Sequence, residues 1–285
     1  MTMEPFDDYR HLLARRRLGD YLRTKQSSNG GFCSYRNDFV EGSNLADTYY
    51  AMRSFVLMGE PIPEIERVIS FLHEFSPMQH PCQLYFYLGC WKSLNPHYAA
   101  SEDWLSVIRA LSFPALPGEN RTVSAWLDQV LAIVKLKKAI GAGFDIDSLR
   151  EALAVVFQED GFGRPANTVD TWLALQILRE CGEPFPAQSR AIVEHFQRLP
   201  YGFSITRLAN SPRLDTVQAG VDLCLLTDSP IKYRSEILNF VLACQCKNGA
   251  FARAPASAPD IELSYRAVWV LRALADGKPD NFSRQ

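Results

Sequence analysis

The sequence has no stretch approaching the ~18 uninterrupted apolar residues that a bilayer-crossing helix requires, so no membrane span is expected. It has no long basic run either. The longest is Arg15-Arg16-Arg17, and 30 Lys and Arg against 32 Asp and Glu leave a formal charge of −2. Such a balance is ill suited to a polyanionic partner, and no nucleic acid is expected to bind. The N-terminus, MTMEPFDDYRHLLARRR, lacks the apolar core of a secretory signal. Seven cysteines at irregular spacings do not make a disulfide framework and fit a reducing compartment, so the expected location is the cytoplasm. Period-two alternation flanked by turn pairs is nearly absent, which argues against a sheet-based fold. There is no Gly-x-Gly-x-x-Gly, P-loop, Gly-x-Ser-x-Gly or His-Glu-x-x-His, and each absence removes a familiar nucleotide, hydrolase or metalloprotease chemistry.

What is present is repetition. One segment reads Gln26-Ser-Ser-Asn-Gly-Gly31-Phe32 and later Ala46-Asp47-Thr48-Tyr49-Tyr50-Ala51. A second reads Phe157-Gln158, Gly161-Phe162, then Val169-Asp170-Thr171-Trp172-Leu173-Ala174. A third reads Cys244-Gln245, Gly249-Ala250-Phe251, then Leu263-Ser264-Tyr265-Arg266-Ala267. A looser copy has Phe196-Gln197, Gly202-Phe203, then Leu214-Asp215-Thr216-Val217-Gln218-Ala219. Phe32 and Phe162 lie three periods of about 43 residues apart, a length typical of helical-pair repeats. Two degenerate copies are then expected near Phe75 and Phe113, giving six units.

Each unit reads as two helices. The stretch before the Gln is amphipathic at helical spacing, as in Ser148–Phe157. Glycine breaks it at the Gly-Phe turn. A second, more apolar helix starts at the Asp-Thr pair, where Asp and Thr suit the first turn as N-caps. It ends near Gly59 or Gly182, each soon followed by Pro. A helix apolar on most sides is buried on most sides, so six second helices would form an inner ring and the amphipathic ones an outer ring. The expected fold is all-α, an α/α toroid occupying residues 1–285 as a single domain. Its first ~10 and last ~8 residues are expected to be loose.

The combined pattern, Gln-x-x-x-Gly-Gly-Phe followed by Asp-Thr-Tyr-x-Ala, resembles the repeat of the prenyltransferase and squalene-cyclase superfamily, which includes terpenoid cyclases and protein prenyltransferase β subunits. The resemblance implies an α/α toroid handling an isoprenoid in a central apolar cavity, with chemistry where the inner helices begin. In class II cyclases of that family an Asp-x-Asp-Asp-Thr motif supplies the proton donor. The matching positions here are Ala46, Val169 and Leu214, and only the last Asp of each frame survives, as Asp47, Asp170 and Asp215. Protein prenyltransferases hold zinc through Asp, Cys and His. Here Thr replaces the Cys, and His11, His73, His80, His97 and His195 all lie away from the inner-helix starts, so zinc is not expected.

Asp47, Asp170 and Asp215 are the candidate catalytic residues, either capping their helices or gathering with Glu262 at one rim as acid–base groups. Asp170 and Asp215 are the candidate Mg²⁺ ligands. Arg164, Arg207, Arg213 and Arg266 are candidates for binding a diphosphate beside helix N-termini. Tyr49, Tyr50, Trp172 and Tyr265 are candidates for lining an isoprenoid pocket, where ring faces attract a developing carbocation. The leading expectation is an isoprenoid-handling enzyme acting on a prenyl diphosphate or related terpenoid. The alternative is a non-catalytic toroid that binds a lipid or a second protein subunit. A carbohydrate-active toroid, which would need paired carboxylates, is a third.

Overall fold

A computed structural model of the chain describes residues 5–35, 42–209 and 211–276. The termini expected to be loose lie largely outside these residues, as do the side chains of residues 5–13, His11 included. Among the described residues twelve helices follow one another as six pairs. They are α1 (Pro5–Thr24) with α2 (Leu45–Met58), α3 (Ile65–His73) with α4 (Pro81–Leu94), and α5 (Glu102–Ala110) with α6 (Ser124–Ala139). The later pairs are α7 (Ile146–Val156) with α8 (Thr168–Cys181), α9 (Ser189–Phe196) with α10 (Leu214–Leu226), and α11 (Arg234–Ala243) with α12 (Ile261–Asp276). The two degenerate copies are thus full helix pairs, although their turns lack the Gly-Phe signature.

The turn has a physical construction that the sequence only hinted at. In the fourth unit β1 (Phe157–Gln158) pairs with β2 (Gly161–Phe162), and in the fifth β3 (Gln197–Arg198) pairs with β4 (Gly202–Phe203). In the sixth, β5 (Phe251–Ala252) pairs with β6 (Pro259–Asp260). The first unit carries the same contacts as isolated bridges, Gln26 to Phe32 and Phe32 to Asn44. The hydroxyl at the Thr or Ser position then locks the turn to the second helix. Thr48, Thr171 and Ser264 accept the backbone N–H of Phe32, Phe162 and Phe251 at 3.0, 2.9 and 3.0 Å. These buried amides would otherwise be orphaned, and their burial explains why the Gly-Phe and Asp-Thr motifs recur together.

The helix starts correct one detail of the sequence reading. Asn44 and Asn167, rather than the aspartates, are the N-caps of α2 and α8, accepting from the amides of Asp47 and Asp170 at 2.8 and 2.9 Å. Asp47 and Asp170 stand three residues on and accept back from the Asn side-chain amides at 2.9 and 2.7 Å, a reciprocal box at the helix start. Asp260 performs the cap for α12, accepting from Leu263 N at 2.7 Å. At the other end, Gly59 and Gly182 close α2 and α8 in the left-handed conformation, with φ of 67° and 74°.

The chain divides into two compact units. The first comprises Met1–Ser76, Phe86–Tyr98 and Ile237–Gln285. Within it α12 packs along α2, and α1 touches both, so the early and late helices of the chain are knit together. Gly89 of α4 lets that helix approach Tyr49 of α2 so closely that an added Cβ would lie 2.4 Å from the ring. The second unit comprises Pro77–Tyr85 and Ala99–Glu236. Within it α8 packs between α6 and α10. Thr168, at the first turn of α8, bonds through its amide to the carbonyl of Ile205 at 2.9 Å and fastens the turn that precedes α10.

Candidate functional site

Four of the second helices, α2, α8, α10 and α12, are buried over most of their length, whereas α4 is buried only at Leu84, Tyr87 and Cys90. In α8 Leu173 through Leu178 are all buried, while Trp172 remains partly accessible. In α12 the accessible stripe is Glu262, Tyr265, Arg266 and Trp269, one helical face at three- and four-residue spacing. Tyr50 in α2, Phe86 in α4 and Asp222 in α10 are likewise part-accessible. Large side chains left accessible on helices otherwise sunk in the core are where a ligand surface is to be sought.

In the first unit that stripe carries a cluster of aromatic rings. Tyr50 is the hub, with its ring centroid 5.1 Å from Tyr49, 5.5 Å from Phe86 and 5.4 Å from Tyr265. Tyr49 also stands 5.2 Å from Phe86. All four distances suit attractive ring pairs across α2, α4 and α12, but Tyr49, expected to line a pocket, is itself core, which leaves Tyr50, Phe86 and Tyr265 as the accessible rings. Trp172, the fourth aromatic candidate, belongs to the second unit and does something different. Its indole N–H donates to Asp222 Oδ2 at 2.6 Å.

The chain matches the family model of the prenyltransferase alpha-alpha toroid domain over residues 7–152 and again over residues 79–284. It belongs to that family. The fold class is accordingly the α/α toroid, and among the described residues it is built mostly of helix with strands of two residues. No curated protein matches the chain. No described helix is long and apolar enough to cross a membrane.

In this prenyltransferase-type toroid the three candidate aspartates have three different environments. Asp47 lies in the first unit. Its Oδ2 accepts from Ser34 N at 2.9 Å and its Oδ1 from Ser34 Oγ at 2.9 Å. The same Ser34 oxygen accepts from Ile261 N at 3.1 Å, so Asp47 braces the start of α12 as well as its own helix. Asp170, in the second unit, is only 1% exposed. Burial pushes its carboxyl above the usual range, with Ser124 and Asn167 working the other way. Its Oδ1 is enclosed and makes no well-formed hydrogen bond. Gly163, at φ 124°, passes so close that a Cβ there would lie 2.7 Å from Oδ2. Asp215 is held by its neighbour Arg213, whose Nε donates to Oδ1 at 3.1 Å and whose second nitrogen donates to Oδ2.

The candidate arginines do not form one set. Arg266 is in the first unit and lies on Glu262 of its own helix at 2.6 Å. The other three are in the second. Arg213 is clamped as above, Arg164 donates to the Pro117 carbonyl at 2.9 Å and lines a shallow surface depression with Glu119 and Gln158, and Arg207 is exposed. Among the described residues, no three carboxylate, imidazole or thiol side chains converge as a metal site would need.

Two groups escaped the sequence reading. Asp260 caps α12, and burial raises its carboxyl, with the charges of Glu262 and Asp47 adding to the effect. Asp222 sits mid-helix in α10 and gathers Trp172 and also Gln176 Nε2, at 3.1 Å. Burial raises this carboxyl too, while Trp172, Arg179, Lys135 and Gln176 favour its charged form. Its signal in the sequence is a lone acid within the apolar run Val217–Leu226, spaced four from Gln218.

Proposed function

We propose that this toroid is an isoprenoid-handling enzyme that holds its hydrocarbon substrate against the accessible stripe of its second helices. The observation that carries the reading is the part-accessible ring cluster of Tyr50, Phe86 and Tyr265, backed by the buried ring of Tyr49. Aromatic area left open on helices that are otherwise core would gain about 25 cal/mol for each Å² a hydrocarbon chain covers, and ring faces would favour a cationic carbon beside them. Membership of the prenyltransferase toroid family supports the same substrate class. Asp170, enclosed and with its carboxyl raised by burial, is the best suited of the three aspartates to exchange a proton. Within the second unit a diphosphate head group would draw on Arg207 and Arg164 and would have to compete with Asp215 for Arg213, while Arg266, in the first unit, is held by Glu262. Mg²⁺ at Asp170 and Asp215 belongs to the same proposal and would arrive with that diphosphate.

The test is thermal stability of the purified chain with farnesyl diphosphate, geranylgeranyl diphosphate and a neutral C30 isoprenoid, each with and without Mg²⁺. A ligand at 100 times its Kd should add about 2.7 kcal/mol. Tyr50→Ala should remove most of that shift, because Tyr50 touches the other three rings. If no isoprenoid shifts the wild type, the reading fails.

A second reading has its own support. The proton-donor positions are Ala46, Val169 and Leu214, and Leu199 and Leu208 are 55% and 95% exposed in the turns of the second unit. Those features suit a toroid that binds a partner subunit instead of turning over substrate. A stable complex with a second chain, without turnover by this chain alone, would favour it.

A further inference from the structure

The turn of the fourth repeat differs in register from those of the first, fifth and sixth. Gln26, Gln197 and Gln245 stand opposite Phe32, Phe203 and Phe251. Each donates its side-chain amide to a carbonyl of the adjoining repeat, at Pro63, Pro230 and Ala14. In the fourth turn Phe157 stands opposite Phe162, and Gln158 comes one residue later, opposite Gly161. Side chains alternate between the two faces of a strand, so this one-residue step turns the glutamine to the other side. Gln158 is exposed, and its side chain bonds to no described residue.

Gln158 instead lines a depression of about 570 Å³ with Glu119, Asn120, Val155, Arg164 and Pro165. All six belong to the second unit, in the loop before α6, the end of α7 with β1, and the loop before α8. Glu119 and Arg164 carry opposite charges here, and neither makes an ion pair among the described residues. Arg164 is fixed through one nitrogen on the Pro117 carbonyl at 2.9 Å, which leaves its other N–H groups for a ligand. Asn120 and Gln158 each offer a carbonyl and an amide NH₂, the two functions that an extended main chain presents in alternation. Val155, 61% exposed, supplies an apolar seat with Pro165.

This lining narrows the occupant. A hydrocarbon would strand the polar side chains beside it. A ligand of a single sign would satisfy one of the two charges and be repelled by the other. A peptide bearing both an acidic and a basic side chain answers both, and its main chain matches the two amides.

We propose that this depression is a docking site for an extended segment of a partner protein. The segment carries an acidic side chain for Arg164, a basic one for Glu119 and a small apolar one for Val155. Gln158, released from the bond between repeats, pairs with its main chain. The site lies within the second unit and does not depend on the isoprenoid reading.

Fluorescence anisotropy on the full chain tests this. The probes are labelled hexapeptides with one Lys, one Val and one Glu placed in every order in a threonine host. Controls carry two Lys, two Glu or no charge. At least one order of the mixed set should bind at concentrations up to about 1 mM, a weak affinity suited to a few residues on an open surface. The controls should bind about fivefold more weakly, the weight of one solvent-exposed ion pair. Glu119→Arg combined with Arg164→Glu should weaken the best peptide by a similar factor. The same double variant should regain binding of that peptide with its Lys and Glu exchanged, a reversal that a misfolded protein would not give. Gln158→Ala should weaken the mixed peptides alike and leave the charge preference in place. No binding of any mixed peptide would overturn the proposal, as would equal binding of the controls or no reversal in the double variant. Displacement of the bound peptide by farnesyl diphosphate would also overturn it and assign Arg164 to a diphosphate, whereas the other failures leave the isoprenoid reading untouched.

Discussion

The side-chain amide of Gln245 donates to the main-chain carbonyl of Ala14 at 2.9 Å, joining positions 231 residues apart. The same amide also donates to Gly249 O at 2.9 Å, inside its own turn. Gln26 does the same in the first repeat, reaching Gly30 O and Pro63 O at 3.1 Å each, and Gln197 reaches Pro230 O at 2.9 Å. The turn glycines follow suit. A Cβ on Gly30 would strike the backbone of Arg67 in α3, and one on Gly249 the backbone of Arg17 in α1. The sixth repeat is therefore bonded to the first as the first is to the second.

Removing that connection should be costly. Gln245→Ala deletes two hydrogen bonds at a part-buried junction and leaves carbonyls without their donor, a loss of about 1–3 kcal/mol. Gln26→Ala should cost a similar amount. Gln158, the exposed counterpart in the fourth repeat, should cost little on the same substitution. Urea denaturation of the three variants decides this, and an equal effect at all three would mean the glutamines matter only within their own turns.

The asparagine caps are separable from the aspartates that follow them. Asn167→Ala removes the acceptor for the Asp170 amide and the donor to its carboxylate, and should cost about 0.5–2 kcal/mol. Asn44→Ala should behave alike. Thermal melting without loss for either variant would contradict the assignment of the caps.

Two glycines with positive φ make different predictions. Gly59→Ala meets open space and should cost only the left-handed backbone penalty, roughly 1–2 kcal/mol. Gly163→Ala adds a collision with Asp170 Oδ2 and the Pro165 carbonyl, both 2.7 Å from the new methyl, and should be clearly worse. Equal losses in side-by-side denaturation would show that Asp170 can move aside.

The pH dependence of stability should run against the usual carboxylate trend at Asp222. Its folded pKa lies above the unfolded one, so between the two values the folded state binds more protons. The stability linked to this group is complete below the unfolded value near 4 and is lost as pH rises through the folded value. Asp222→Asn cannot ionise and escapes that loss. Relative to wild type, the variant should gain stability between pH 4 and pH 7 in urea titrations. A flat or opposite difference would mean that Lys135 and Arg179 outweigh burial.

By itself the sequence determined the repeat, the number of units, the helical class and the ends of the clearest helices. Those depend on local chemistry: glycine in the turn, a small polar residue at each helix start, glycine and proline past each end. The identity of the caps was legible only in part. Asn44 and Asn167 stand three residues before Asp47 and Asp170, and either partner of a reciprocal box suits an N-terminus. The tertiary structure alone decided which side chains meet. Tyr50 and Tyr265 become neighbours because α12 packs on α2, and Trp172 reaches Asp222 because α8 packs on α10, fifty positions along the chain. It also showed Arg213 held by Asp215 and Arg266 by Glu262, pairings that spend charges which looked available in the sequence. Period and composition report which face of a helix is apolar. What lies opposite that face depends on contacts between distant segments, and these exist only once the chain has folded.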